Sequence, residues 1–173
     1  MVDYLCRTGA PPAFLSMPKL NSNAVERQDA YFEQVRKNGH DGALIPTPGK
    51  LQLWQFERYG FEVMEHHFSN GRYLDATILC ANDRIAFGAI RAANTHGLFL
   101  SRAGEARGQL RIAVHDDHPL SRYIFPALTT VAQEVGSIGS NAVDLLVGWV
   151  RNGREGAANQ LALGGTLRIR ECA

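Results

Sequence analysis

Cysteine is scarce: only Cys6, Cys80 and Cys172 occur along 173 positions. No two of them form a Cys-x-x-Cys pair, so neither a disulfide framework nor a thiolate zinc site is indicated, and a reducing compartment fits. Long apolar runs are missing too. Thr77-Ile78-Leu79-Cys80-Ala81 is far too short to span a bilayer, and the first residues lack the charged and apolar regions of a signal peptide. The expectation is a cytoplasmic protein with no membrane contact. Charge of one sign is not in excess either, since 18 Lys and Arg stand against 17 Asp and Glu for a net charge of +1. The cation surplus needed to neutralise phosphates is lacking, which excludes unaided nucleic-acid binding.

Signatures of catalysis are equally sparse. Gly42 and Gly49-Lys50 are separated by six residues where a phosphate loop has four, and Leu51 stands where a magnesium-binding hydroxyl is required. No Gly-x-Gly-x-x-Gly follows a strand, and there is neither a Gly-x-Ser-x-Gly elbow nor a Cys-His pair at a nucleophile site. The chain therefore reads as a non-enzyme with no cofactor.

What the sequence does contain is an alternation of short apolar runs with helical periods, the pattern of a mostly parallel sheet flanked by helices in three Rossmann-like layers. Residues 1 to 8 read as the end of a helix whose start is missing, stopped by a left-handed Gly9. Ala13 to Ser16 is a first strand. Asn23 to Glu26 reads as a capping box opening a helix that buries Ala24, Tyr31 and Val35 and ends at Gly39. Ala43 to Ile45 is a second strand, and a helix from about Leu51 to Phe68 follows. Ala76 to Cys80 then leads through Asn82 into a helix with Ile85, Ala86, Ala89, Ile90 and Ala93 on one face, and Arg111 to Val114 forms the next strand. Leu128 to Glu134 reads as extended, and Val135 to Val150 as a helix apolar on both sides. Leu161 to Leu163 and Thr166 to Ile169 read as tail strands.

In such a sheet, ligands bind outside the carboxyl ends of the strands. Asn21, Asn23, Asn82, Asp83, Asp116 and Asp117 leave the strands at that edge, and Arg27 stands one turn into the neighbouring helix. Short amides, carboxylates and a guanidinium suit a hydroxyl-rich ligand, sugar or nucleoside-like. A plain helix cap also accounts for Asn23 and for Asn82. His115-Asp116-Asp117-His118 invites a metal reading, but neighbouring residues seldom converge on one ion, and a continuing strand turns 116 away from 115 and 117. No metal is expected there.

Three blocks carry a resemblance: Arg27-x-x-Ala-Tyr31, Ala-Asn82-Asp83-Arg-Ile-Ala-Phe-Gly-Ala, and Asp116-Asp117 followed by Pro126-Ala-Leu-Thr-Thr-Val. In order and spacing the chain resembles the effector-binding domain of LacI/GalR-type bacterial transcription regulators, which has the fold of the type I periplasmic sugar-binding proteins. The resemblance implicates Arg27, Asn82 and Asp116 in effector contact, with Gln55 or Trp54 as a further contact. It implies a strand order of 2-1-3-4-5. It also assigns residues 1–125 to the C-terminal lobe, 126–153 to a strand and helix of the N-terminal lobe, and 154–173 to return strands. A small-molecule effector, a homodimer, and operator DNA bound only through a helix-turn-helix outside this chain complete the expectation. Val114 and His115 depart from the family's Gly and aromatic before the Asp pair, so effector chemistry cannot be copied from a relative. Competing readings are a solute-binding protein of a transport system and a metal-dependent enzyme using His115, Asp116 and His118.

Overall fold

Among the described residues, six strands, numbered along the chain, make one sheet in the order β2-β1-β3-β4-β5-β6. They are β1 (Ala13–Leu15), β2 (Ala43–Leu44), β3 (Thr77–Cys80), β4 (Arg111–Asp116), β5 (Thr129–Ala132) and β6 (Thr166–Arg168). All pairings are parallel except that of β6 on β5. The computed structural model describes residues 1–18, 21–48, 54–99, 110–152 and 161–173. The helices among these residues are α1 (Val2–Thr8), α2 (Ser22–Lys37), α3 (Phe56–Ser69), α4 (Asp83–Thr95) and α5 (Val135–Asn152), with a 3-10 turn at Pro119–Arg122.

The chain path fixes the layers. The β1-α2-β2 connection moves one way across the sheet, whereas β2-α3-β3 and β3-α4-β4 move the other way. Right-handed crossovers then place α2 on one face and α3 with α4 on the other. Between them lies an apolar core in which Phe14, Leu15, Val35, Val63, Met64, Ile78, Ile85 and Ile112 are essentially excluded from water, each worth about 1.5–3 kcal/mol of transfer free energy. The stripe expected on α2 is the one buried, and Tyr31 stacks on Phe14 at 4.8 Å. The Tyr31 hydroxyl donates to Pro12 O at 2.7 Å and accepts from Ala43 N at 2.8 Å, pinning the entrances of β1 and β2.

Several local expectations need correction. Asn21, not Asn23, caps α2: its Oδ1 accepts from Ala24 N at 3.0 Å. Glu26 then lies two residues past the position a capping box requires. Gly9 follows α1 with φ 177, extended rather than left-handed. The described part of α3 begins at Phe56, with Trp54 and Gln55 ahead of it; the expected helical start at 51 to 53 lies outside the described residues. β4 runs on through His115 to Asp116, and Leu161 to Leu163 form no strand.

Within this chain β5 pairs in parallel with β4, Ala113 opposite Thr129 and Asp116 opposite Ala132. β4 would otherwise expose an open edge of unpaired backbone. Helix α5 behaves differently, since no residue from Val135 to Arg151 is buried. The tail returns as β6 and ends by bonding across two strands, Cys172 N donating to Ala127 O and Ile112 N to Cys172 O.

Candidate ligand site at the sheet edge

The direction in which successive connections step across the sheet reverses between the parallel neighbours β1 and β3, so a crevice opens outside their carboxyl ends. Arg27 reaches into it from α2. Its Nη2 meets Asp116 Oδ1 at 2.5 Å, and its Nη1 meets Asp116 Oδ2 at 3.1 Å and Ala81 O at 2.5 Å. One guanidinium thus joins α2 to the ends of β3 and β4 in a bidentate, charge-assisted clamp. Its side chain is 19% exposed and that of Asp116 33%, so the pair is half sheltered and still within reach of a ligand. Gln133 Nε2 adds a donor to Asp116 Oδ1 at 2.6 Å.

Asn82 caps α4, its Oδ1 accepting from Ile85 N at 2.9 Å, which leaves the amide nitrogen of the same side chain at the edge. Asp83, placed at the edge by the sequence, is instead turned inward and buried. It accepts from His118 N at 2.7 Å and Ser121 Oγ at 3.0 Å. Burial pushes its carboxyl above the ordinary range, against those two hydrogen bonds. Asp117 is paired with Arg170 at 2.7 Å.

The remaining candidates stand apart from this group. Asn23 is exposed on the first turn of α2. Trp54 is 70% exposed and touches Phe56 edge-on, while Gln55 occupies the N-cap of α3 without a side-chain cap bond. Gln133 and Arg170 were not anticipated. The signal for Gln133 is register: with Ala132 opposite Asp116, residue 133 falls just beyond the paired strand ends.

A cavity of about 480 Å³ adjoins the clamp on the α1 and α2 side, lined among others by Arg27, Tyr31, Gln34, Leu79, His115 and Gln133. Burial, then the Arg27 guanidinium and the Met1 ammonium, hold His115 down to about 4 against an opposing pull from Asp116, so the imidazole is neutral at pH 7. His115 faces α2, whereas His118 packs on Phe87 of α4. The four-residue string therefore separates its imidazoles, and among the described residues no group of three His, Cys, Asp or Glu side chains is placed to hold a metal ion. No helix among the described residues is long and apolar enough to cross a membrane.

Comparison with known proteins agrees with this architecture. The profile of the periplasmic binding protein-like domain matches residues 2–172. The HTH-type transcriptional repressor PurR of Klebsiella pneumoniae is 30% identical over 152 residues, covering 88% of this chain and 42% of that protein. The regulator GalR of Escherichia coli K12 is 26% identical over 133 residues, covering 76% and 35%. Among solved structures, the lac repressor dimer bound to operator and the anti-inducer ONPF superposes with a TM-score of 0.78 at 26% identity, over 99% of this chain and 55% of that one. A LacI-family regulatory protein from Chloroflexus aggregans gives 0.75 at 26%, over 98% and 57%. The chain spans well under two thirds of the length of these relatives. It belongs to the periplasmic binding protein-like domain family, in the form carried by LacI/GalR-type regulators.

Proposed function

We propose that this chain is the effector-sensing module of a LacI/GalR-type transcription regulator and performs no catalysis. Its ligand is a small, uncharged, hydroxyl-bearing molecule, sugar or nucleoside-like, taken at the carboxyl edge of the sheet. The observation that carries this reading is the Arg27–Asp116 clamp. A bidentate pair presents donors and acceptors side by side with its formal charges already cancelled. Asp117 is likewise neutralised by Arg170. A phosphate or ammonium ligand would find no uncompensated counter-charge in this group, whereas neighbouring hydroxyls can both donate to the carboxylate and accept from the guanidinium.

In this reading Asn82 offers a further amide, and Asn23, Gln55 and Trp54 approach only if the ligand or a second lobe brings them in. The effector acts by binding one arrangement of the regulator better than another, and coupling is that difference in affinity. Residues 135–152 and the tail are the parts that engage a second lobe. The regulator works as a homodimer in the cytoplasm, and operator DNA is contacted by a helix-turn-helix outside these 173 residues.

Thermal-shift screening of the regulator against neutral aldoses and nucleosides, with their phosphorylated counterparts as controls, tests the ligand class. Neutral compounds are expected to raise the melting temperature. Arg27→Ala and Asp116→Ala should each weaken the binding of a hit by about 1–3 kcal/mol in calorimetry, the scale of a lost charge-assisted hydrogen bond. Wild-type affinity in both variants removes the clamp from the site, and binding confined to the phosphorylated set refutes the uncharged ligand.

A further inference from the structure

Two successive residues with side chains adopt positive φ where β4 ends: Asp116 at 108 and Asp117 at 59. That backbone region is sterically disfavoured for any residue with a Cβ, and it persists only where its surroundings hold it. Three elements do so here. The Asp117 N–H donates to Thr130 Oγ1 at 3.2 Å, from β5. The next amide, His118 N–H, donates to Asp83 Oδ2 at 2.7 Å, from α4. The Asp117 carboxylate accepts from Arg170 Nη2 at 2.7 Å, from the returning tail.

Arg170 is itself fixed in place. Its Nη1 donates to Leu128 O at 2.8 Å, and its backbone N–H donates to Thr129 Oγ1 at 2.9 Å. The ion pair is also more sheltered than the Arg27–Asp116 clamp, with side chains 17% and 14% exposed. Asp116, whose carboxylate meets Arg27, is the first residue of this turn, so relaxation of its own φ toward an ordinary value would re-aim that carboxylate. The tail therefore has a direct mechanical hold on the ligand-facing group.

We propose that Arg170, acting through Asp117, is a positioning residue that aims the Asp116 carboxylate at Arg27 and at the ligand; the last clause rests on the reading of the sheet edge as the ligand site. Neither residue needs to touch the ligand. Asp117→Asn suits the test because Asn tolerates positive φ, and Arg170→Gln removes the charge while keeping much of the stem. Thr130→Val releases the same turn from the β5 side.

The measurement is hydrogen exchange of the Arg27 guanidinium protons, read by nitrogen-15 NMR on the 173-residue chain, with melting temperature recorded in parallel. In the wild type these protons are expected to be protected. Arg170→Gln and Asp117→Asn should speed their exchange by about tenfold, the equivalent of one charge-assisted hydrogen bond, with Arg170→Lys restoring part of the protection. Thr130→Val should act in the same direction. A lowered melting temperature with Arg27 exchange unchanged in all three would make the ion pair a plain structural tie and overturn the proposal. Binding of D-ribose, D-galactose and adenosine is measured separately. Faster Arg27 exchange in the variants supports the positioning role even where none of these probes binds, and it is then the ligand reading that fails.

Discussion

At the scale of single residues, His115 makes the most direct thermodynamic prediction. Its pKa is held to about 4 in the folded chain, first by burial and then by Arg27, against roughly 6.5 for a free imidazole. Between those values the unfolded chain binds more protons than the folded one. Stability must rise with pH across that window, and the contribution is lost on acidification, at about 1–3 kcal/mol by pH 4. Urea unfolding at pH 7, 5.5 and 4 should therefore show His115→Gln losing less stability on acidification than the wild type; parallel losses would mean that the imidazole is not desolvated. Cysteine gives a second test. Burial pushes the Cys80 thiol up and Cys172 to about 12, while Cys6 is partly exposed. A thiol reagent at pH 8 should modify Cys6 in the native chain and reach Cys80 and Cys172 only on unfolding. The places of Arg27, Asn82 and Asp116 beside one another at the carboxyl edge of the sheet were legible in the sequence, because polar residues leaving apolar strands fall at that edge. Gln133 and Arg170 were not, since their places depend on a strand register and on a tail that returns from more than 30 residues away.

At the scale of elements, glycine has opposite meanings in two helices. α3 and α4 cross so closely that a Cβ on Gly60 would lie 2.1 Å from Ile85 O, and one on Gly88 would lie 2.0 Å from Glu57 O. Each glycine admits the other helix's backbone, and the Glu57–Arg84 ion pair closes the same crossing from outside at 2.6 Å. Gly139 in α5 has nothing within 4 Å of its missing Cβ. Gly60→Ala and Gly88→Ala should each destabilise by about 1–3 kcal/mol or more through overpacking, whereas Gly139→Ala should favour α5 by about 0.5–1 kcal/mol. Melting followed by circular dichroism distinguishes the signs; a neutral Gly88→Ala would contradict the close crossing. The periodicity of α2 and α4 announced Ala24, Tyr31 and Val35, and Ile85, Ala86, Ala89, Ile90 and Ala93, as buried, because apolar residues at helical spacing share a face that turns to the core. It could not announce this crossing, which depends on residues with no side chain.

At the scale of the whole molecule, one Asp83 carboxylate links the carboxyl edge of the sheet to a distinct surface. It fixes His118, two residues past Asp116, and also Ser121 in the 3-10 turn, beside which Leu120, Tyr123 and Phe125 are 53%, 78% and 62% exposed. A second apolar surface runs along α5, where Val143, Leu146 and Val150 are 58%, 58% and 78% exposed. Isolated apolar side chains on a surface are ordinary, but two clustered groups on so small a chain exceed what soluble monomers normally leave in water. The chain by itself should therefore associate at micromolar concentration, since a symmetric pair can bury identical patches against each other. Sedimentation velocity should show a species larger than 19.0 kDa. Two double variants identify the surface responsible. If α5 is buried in the contact, Leu146→Asp with Val150→Asp restores the monomer and lowers binding of a hydrophobic dye. If the 3-10 region is buried instead, Tyr123→Asp with Phe125→Asp does so. A wild-type chain that remains monomeric and binds no dye would defeat the prediction, because both surfaces would then have to be satisfied within one molecule.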